Sequence, residues 1–212
     1  MTGGRARPST TLRYAQGERK KFPARSARSA PNSANKRTPV RAERRAAKRA
    51  GVEARAARIK LLLLDVDGVL TDGRLYYGPD GELMKAFDVK DGHGIVLLRD
   101  HVQLGVISGR PGLSRKRLEE LRFQHLVFSQ RDKLEGYAQL AHLGVPDDEV
   151  AYMGDDVNDL GLLGKVGLSA CPADAHPSVR AAVHLVTAAP GGRGAVRELA
   201  ELILRAKGLW HY

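Results

Sequence analysis

The stretch Leu61-Leu62-Leu63-Leu64-Asp65-Val66-Asp67-Gly68-Val69-Leu70-Thr71-Asp72 decides the fold. It starts as an apolar run and ends in carboxylates. Residues 59–64 have the length and apolar character of a strand buried on both faces, as in a parallel sheet. Asp65 then falls where that strand ends. Open α/β sheets bind ligands just beyond the carboxyl ends of their strands. Asp65 and Asp67 are two apart, so in an extended chain they point to one side. Two neighbouring acids repel unless a cation or a proton lies between them. Oxygen-only ligands of this kind suit Mg²⁺, which often shares its shell with a substrate phosphate. Taken alone, the same residues also describe a strand followed by an Asp-Gly turn.

Outward from this stretch, apolar runs alternate with helical patterns. Strands are expected at 59–64, 103–107, 125–128, 150–153, 167–170 and 183–187. Helices are expected at about 93–101, 112–122, 133–143, 157–164, 176–182 and 195–207. This alternation predicts an α/β fold with a mostly parallel sheet and helices on both faces. Between the first strand and the first helix, Gly78-Pro79-Asp80-Gly81 separates two apolar runs and predicts a β-hairpin.

The 212 residues suffice for one domain with a real core. The net charge of +11 is uneven. Residues 1–58 hold 17 Lys and Arg against 3 Asp and Glu, while residues 59–212 hold 18 against 21. Residues 1–40 are poor in large apolar side chains and read as disordered. Residues 41–58 favour helix by propensity, but Gly51 interrupts them and no apolar stripe is evident. Residues 1–58 therefore read as a basic tail, either merely solvated or drawn weakly to a polyanion. A single cysteine, Cys171, cannot form an internal disulfide, which suggests a reducing, cytoplasmic setting. No 18-residue apolar run is present, so no membrane span is expected.

Further polar residues follow expected strands. Ser108 lies in Ser108-Gly109-Arg110, and Lys133 opens the helix after the 125–128 strand. Asp155 and Asp156 follow the 150–153 strand, with Asn158 and Asp159 close behind. Singly these could be a turn, a helix-face charge and an N-cap. Together, at successive strand ends, they form a phosphate-plus-metal constellation: Lys and Ser for phosphoryl oxygens, acids for Mg²⁺.

These motifs resemble the four motifs of the haloacid dehalogenase superfamily of phosphatases. The branch most resembled is that of the 3-deoxy-D-manno-octulosonate 8-phosphate phosphatases. Lys85-Ala86-Phe87, Lys90-Asp91-Gly92-His93-Gly94-Ile95, Ala173-Asp174-Ala175-His176-Pro177 and Gly191-Gly192-Arg193-Gly194 narrow it to that branch. The resemblance covers residues 59–208, leaving 209–212 as a short tail. It implies a three-layer, Rossmann-like domain. Asp65 would be the nucleophile and Asp67 the general acid and base. Ser108 and Lys133 would hold the phosphoryl group. Asp65, the Asp67 carbonyl and Asp155 would ligate Mg²⁺, with Asp156 and Asp159 orienting Lys133 and the metal waters. By the same resemblance, Asp67, Asp88, Val89, Lys90, Asp91, Gly92, Arg110, Arg117 and Lys133 would contact a small phosphorylated sugar acid. One departure is Val96, where the octulosonate enzymes often carry arginine. It leaves a nonulosonate (sialic-acid-like) 9-phosphate as an alternative substrate. A non-catalytic regulatory protein on the same scaffold is the alternative from another class.

Spacing adds one inference. Asp65 and Ser108 are separated by 42 residues, mostly hairpin and helix, and Lys133 and Asp155 by 21. Neither gap holds a cap domain, since independent domains rarely fall below about 40–50 residues. Another copy of the chain would cover the hairpin and site best, by resemblance in a homotetramer. The Gly191–Gly194 turn could cradle an anion with its N–H groups. Arg193 could reach a neighbouring site, His93 could touch substrate, and Trp210 and Tyr212 could pack on a partner.

Overall fold

The computed structural model describes residues 38–212. In chain order the elements are α1 (Thr38–Ala57), β1 (Leu61–Leu64), β2 (Tyr76–Gly78), β3 (Gly81–Met84), α2 (Val89–Leu98), β4 (Gln103–Ile107) and α3 (Arg115–Glu120). There follow β5 (His125–Val127), α4 (Lys133–Ala138), β6 (Val150–Met153), α5 (Leu160–Leu163), β7 (Leu168–Cys171), α6 (Pro177–Ala182), β8 (Leu185–Val186) and α7 (Ala195–Ala206).

Six strands form one sheet in the order β5-β4-β1-β6-β7-β8, every pairing parallel. β1 is central, and all four of its leucines are buried. Leu62 and Leu64 enter the core shared with α2 and α7, while Leu61 and Leu63 enter the other, with Ile107, Tyr152 and Leu162. A strand between two apolar layers needs no alternation, which is why the leucine run reads cleanly. Chain order runs outward in one direction from β1 through β4 and β5, and in the other through β6, β7 and β8. The reversal lies between β1 and β6, where such sheets leave a crevice at the strand ends.

β2 and β3 pair antiparallel as the separate hairpin expected around Pro79-Asp80. α2 starts at Val89, four residues earlier than expected. Asp88 caps it, accepting from the Lys90 N–H at 2.6 Å. Gly92 and Gly94 lie inside the helix. A Cβ at Gly94 would stand 3.0 Å from the Arg197 Cα, so glycine lets α2 press against α7.

The boundary at residue 58 needs correction. α1 is a helix that packs on the domain, with Val52 and Ala56 buried in the same core as Leu62. The Arg55 guanidinium donates to the Gly167 carbonyl at 2.7 Å, and Lys207 Nζ donates to the Ala57 carbonyl at 3.0 Å. The apolar stripe exists but is two small residues wide, spaced i and i+4, and the surrounding arginines and alanines conceal it. Of residues 1–40, expected to be disordered, 38–40 open α1 and 1–37 lie outside the described residues. Of the C-terminal aromatics, Trp210 turns inward and Tyr212 stays 85% exposed. Trp210 packs partly against the core, with Arg197 and Arg205 over its ring at 5.5 and 4.6 Å. Among the described residues no helix is long and apolar enough to cross a membrane.

Ala56→Asp places an unpaired charge at a fully buried position and is expected to cost at least about 2 kcal/mol. Urea unfolding followed by circular dichroism measures this. An unchanged midpoint would mean that α1 does not pack as described.

Candidate active site

Asp65 follows β1 directly, and its N–H still bonds to the Met153 carbonyl, 3.0 Å away on β6. That bond ties the two strand ends together at the crevice. Asp65 Oδ1 accepts from the Val66 N–H at 2.7 Å and lies 2.9 Å from Lys133 Nζ. Lys133 is the first residue of α4, and its side chain is 1% exposed. Its ammonium also donates to the Ile107 carbonyl at the end of β4, 2.7 Å away. Two of its three protons are thus engaged and the third remains.

Asp155 follows β6 and Gly154. Carboxylate oxygens of Asp65, Asp155 and Asp159 lie within 4.8 Å of one another. Asp159 is fully buried and already saturated. Its Oδ1 accepts from the Tyr152 hydroxyl at 2.6 Å, and Oδ2 accepts from the Asp155 and Asp156 N–H groups at 2.9 and 3.0 Å. It therefore shapes the 155–156 turn and adds negative charge beneath it. Burial and the charges of Asp65 and Asp159 push the Asp155 carboxyl up to about 8. Burial likewise pushes Asp65 up to about 6, against the pull of Lys133.

The donor set is all oxygen, crowded and short of positive charge, which fits a hard divalent cation such as Mg²⁺. The backbone also makes room there. Gly68 has φ +83°, and a Cβ on it would stand 2.0 Å from Asp155 Oδ2. The side chain of Asp67 is not part of this acidic cluster. It turns instead to Lys85, which pairs with its Oδ1, and to Arg110, whose Nε lies 3.4 Å from its Oδ2. Only the Asp67 backbone remains as the third expected ligand. Ser108 is buried, and its Oγ accepts from the Arg110 N–H at 3.3 Å, which leaves its own proton to donate.

Asp65, Asp67, Arg110, Lys133 and Asp155 line one cleft of about 430 Å³, beside Asp156, Val157 and Asn158. A larger cavity of about 540 Å³ lies at the other end of β1, between Leu61, Tyr137, Leu140 and Val145. It lacks this convergence of charge.

The remaining expected substrate residues do not line the cleft. Asp88 is the α2 cap. Asp91 is buried, and its two oxygens accept from the N–H groups of Gly194 and Arg197 at 3.0 and 2.8 Å. It anchors the start of α7, where unpaired N–H groups need an acceptor. Val89 is 80% exposed. Arg117 packs over Gly92, where a Cβ would stand 2.5 Å from its Nη2, and pairs with Glu120. Val96 packs partly against the core. The Gly191–Gly194 turn is no anion cradle. The N–H groups of Gly191, Gly192 and Gly194 bond to Asp174, Val69 and Asp91. Arg193 stays exposed, 4.0 Å from Asp72. His176 caps α6, and His93 is exposed. The residue that sequence reasoning left without a role is Lys85, whose side chain is 2% exposed against Asp67 and Glu82.

A family model of haloacid dehalogenase-like hydrolases matches residues 122–198. The 3-deoxy-D-manno-octulosonate 8-phosphate phosphatase of Yersinia pestis is 47% identical over 156 residues, covering 72% of this chain and 83% of that one. The crystal structure of the Yersinia pestis phosphatase superposes with a TM-score of 0.73 at 46% identity, over 75% of this chain and 88% of that one. The Moraxella catarrhalis phosphatase, solved in complex with magnesium ion, phosphate ion and a KDO molecule, gives 0.72 at 37% identity, over 74% of this chain and 92% of that one.

The raised carboxyls carry a pH signature. Their ordinary value is 3.8, so without metal the folded state holds protons that the unfolded chain has lost. Metal-free stability from these groups therefore falls as pH rises from about 4 through about 8. A bound divalent cation favours the ionised acids and opposes the fall. Thermal-shift measurements are expected to show Mg²⁺ stabilising the protein more at pH 8.5 than at pH 6. A shift independent of pH would contradict this electrostatic account.

Proposed function

Because the chain belongs to the haloacid dehalogenase-like hydrolases, in the branch of the 3-deoxy-D-manno-octulosonate 8-phosphate phosphatases, we propose that it hydrolyses that sugar acid 8-phosphate through an intermediate on Asp65. The observation that carries the reading is one cleft holding Asp65, Asp67, Lys133 and Asp155 at the β1/β6 crevice.

An Asp65 carboxylate oxygen attacks phosphorus in line, and the bond from phosphorus to the sugar oxygen breaks. Asp67 gives its proton to that oxygen. A water then attacks the aspartyl-phosphate, Asp67 takes the proton back, and phosphate leaves with Asp65 restored. Lys133 has one proton free for a phosphoryl oxygen, and so has Ser108. Asp65, Asp155 and the Asp67 carbonyl would hold Mg²⁺, which would supply the charge neutralisation that a carboxylate needs to approach a phosphate dianion. Arg110 stands at the rim, 40% exposed, with its planar fork available to the substrate carboxylate. Val96 lies in the core face of α2 and not in the cleft. Its difference from arginine therefore leaves this subunit's cleft unchanged, which favours the octulosonate over the nonulosonate ester.

Tyr77, Leu83, Met84 and Val89 are 49–80% exposed on the hairpin and the start of α2. So many exposed apolar side chains on one short hairpin call for a cover. A second copy of the chain, in a tetramer, is the cover this reading assigns. The base of the hairpin meanwhile serves its own subunit, since Lys85 reaches its own Asp67.

Asp65→Asn removes the nucleophile and is expected to lower kcat by at least about 10³-fold while the circular dichroism spectrum holds. Phosphate release from 3-deoxy-D-manno-octulosonate 8-phosphate measures it, and EDTA is expected to abolish the wild-type signal. Turnover by the variant, or by the chelated enzyme, would remove the mechanism. Light scattering of the same preparation is expected to give a tetramer, and the mass of a single chain would remove the assembly.

A further inference from the structure

We propose that Lys85, braced by Glu82, is a positioning residue that fixes the carboxylate of Asp67 for proton transfer to the leaving oxygen. The inference rests on the acid and base role given to Asp67 above.

Lysine side chains this deeply buried need partners. Lys85 has two, and both are acids: Asp67 Oδ1, and Glu82 Oε1 at 2.9 Å. Glu82 sits three residues earlier, on β3, and its side chain is 14% exposed. Its Oε1 is buried with no hydrogen bond of good geometry, so the ion pair to Lys85 is its compensation. The buried oxygen of Glu82 thus faces the ammonium and acts as a brace on it. From the other side, Arg110 Nε stands 3.4 Å from Asp67 Oδ2. Oδ1 thus faces the fixed Lys85 ammonium, whereas Oδ2 faces Arg110, which can turn to the substrate, so Oδ2 is the oxygen free to carry the proton to the leaving group.

Arg110 and Lys85 are not equivalent holders. The Arg110 side chain is 40% exposed, screened by water and free to swing toward a ligand. Lys85 is shielded and cannot leave without stranding two carboxylates. The two cations also come from different parts of the fold. Arg110 follows β4 within the main sheet, whereas Lys85 arrives from the hairpin. The hairpin so acquires a task in its own subunit's chemistry. It delivers the group that keeps Asp67 turned away from the acidic cluster of Asp65, Asp155 and Asp159, and so available to the leaving group.

Leaving-group dependence separates positioning from mere scaffolding. An alkyl phosphate ester needs a proton on its departing oxygen, whereas p-nitrophenolate departs without one. Lys85→Met is expected to lower kcat on 3-deoxy-D-manno-octulosonate 8-phosphate about 10–100-fold, as for a misplaced proton donor. On p-nitrophenyl phosphate the first burst of p-nitrophenolate, which needs no proton donor, is expected to keep its rate within about 3-fold, with the Mg²⁺ concentration for half-activation unchanged, while steady-state turnover falls because Asp67 still serves as the base in the second step. Lys85→Arg is expected to recover part of the loss. Glu82→Gln keeps the lysine and tests the brace if Lys85→Met fails to fold; it is expected to show the same selectivity in weaker form. Asp67→Asn is the reference. If Asp67→Asn slows the first burst of p-nitrophenolate as much as it slows release of the sugar acid, the acid reading fails and this inference with it. If Asp67→Asn is selective while Lys85→Met and Glu82→Gln are not, the reading stands and the role of Lys85 is overturned.

Discussion

The structure depends on negative charge gathered at the one place where the sheet reverses. β1 and β6 end side by side, and each delivers a carboxylate into the space between them. With Asp159 beneath, three acids converge there, and among the described residues Lys133 is the cation that approaches them. Such a cluster is costly in isolation. It is tolerable because Asp159 is neutralised by hydrogen bonds from Tyr152 and two backbone N–H groups, and Asp65 by Lys133 and the Val66 N–H. Among the described residues Asp155 has no comparable partner, and burial together with the charges of Asp65 and Asp159 raises its proton affinity. A divalent cation and a phosphoryl group together answer it: the cation meets the acids, and the phosphoryl group meets Lys133 and Ser108.

The two ends of the cleft divide the labour. At the base, contacts are buried, short and fixed by backbone: Lys133 to the Ile107 carbonyl, Asp65 to its own strand end. At the rim, Arg110, Asp156, Val157 and Asn158 are more exposed. Rigid chemistry below and adaptable recognition above suit an enzyme that makes one bond change on a bulky polar substrate. No insertion after β1 or between α4 and β6 folds into a cap, so closure falls to the hairpin and to whatever covers its apolar outer face.

Much of this was legible before the fold was known, because buried parallel strands announce themselves as short apolar runs. β4 and β6 begin and end where the runs do, and the residue after each run marks a strand end. Asp65, Ser108, Lys133 and Asp155 followed from that single rule. What escaped notice involves contacts between distant residues. α1 docks through Val52 and Ala56, a stripe too narrow to register against its arginines. Asp91 was expected by resemblance to contact substrate, but in this subunit it is the buried acceptor for the start of α7, about a hundred residues away. The glycines after Pro190 looked like a free anion site, yet their N–H groups are satisfied by Asp174, Val69 and Asp91. Lys85 was visible only as part of a family signature. No spacing rule says that a lysine leaving a hairpin returns to the acid three residues past β1.

The central claim is that Asp65 receives the phosphoryl group in a cleft whose acids are reconciled by one cation. A crystal structure grown with Mg²⁺ and beryllium fluoride tests it directly, since that fluoride forms a stable mimic of an acyl phosphate. The account predicts beryllium bonded to an Asp65 carboxylate oxygen, Mg²⁺ between Asp65, Asp155 and the Asp67 carbonyl, and Lys133 on a fluoride. Beryllium on another residue, or a cation bound away from Asp65 and Asp155, would contradict it.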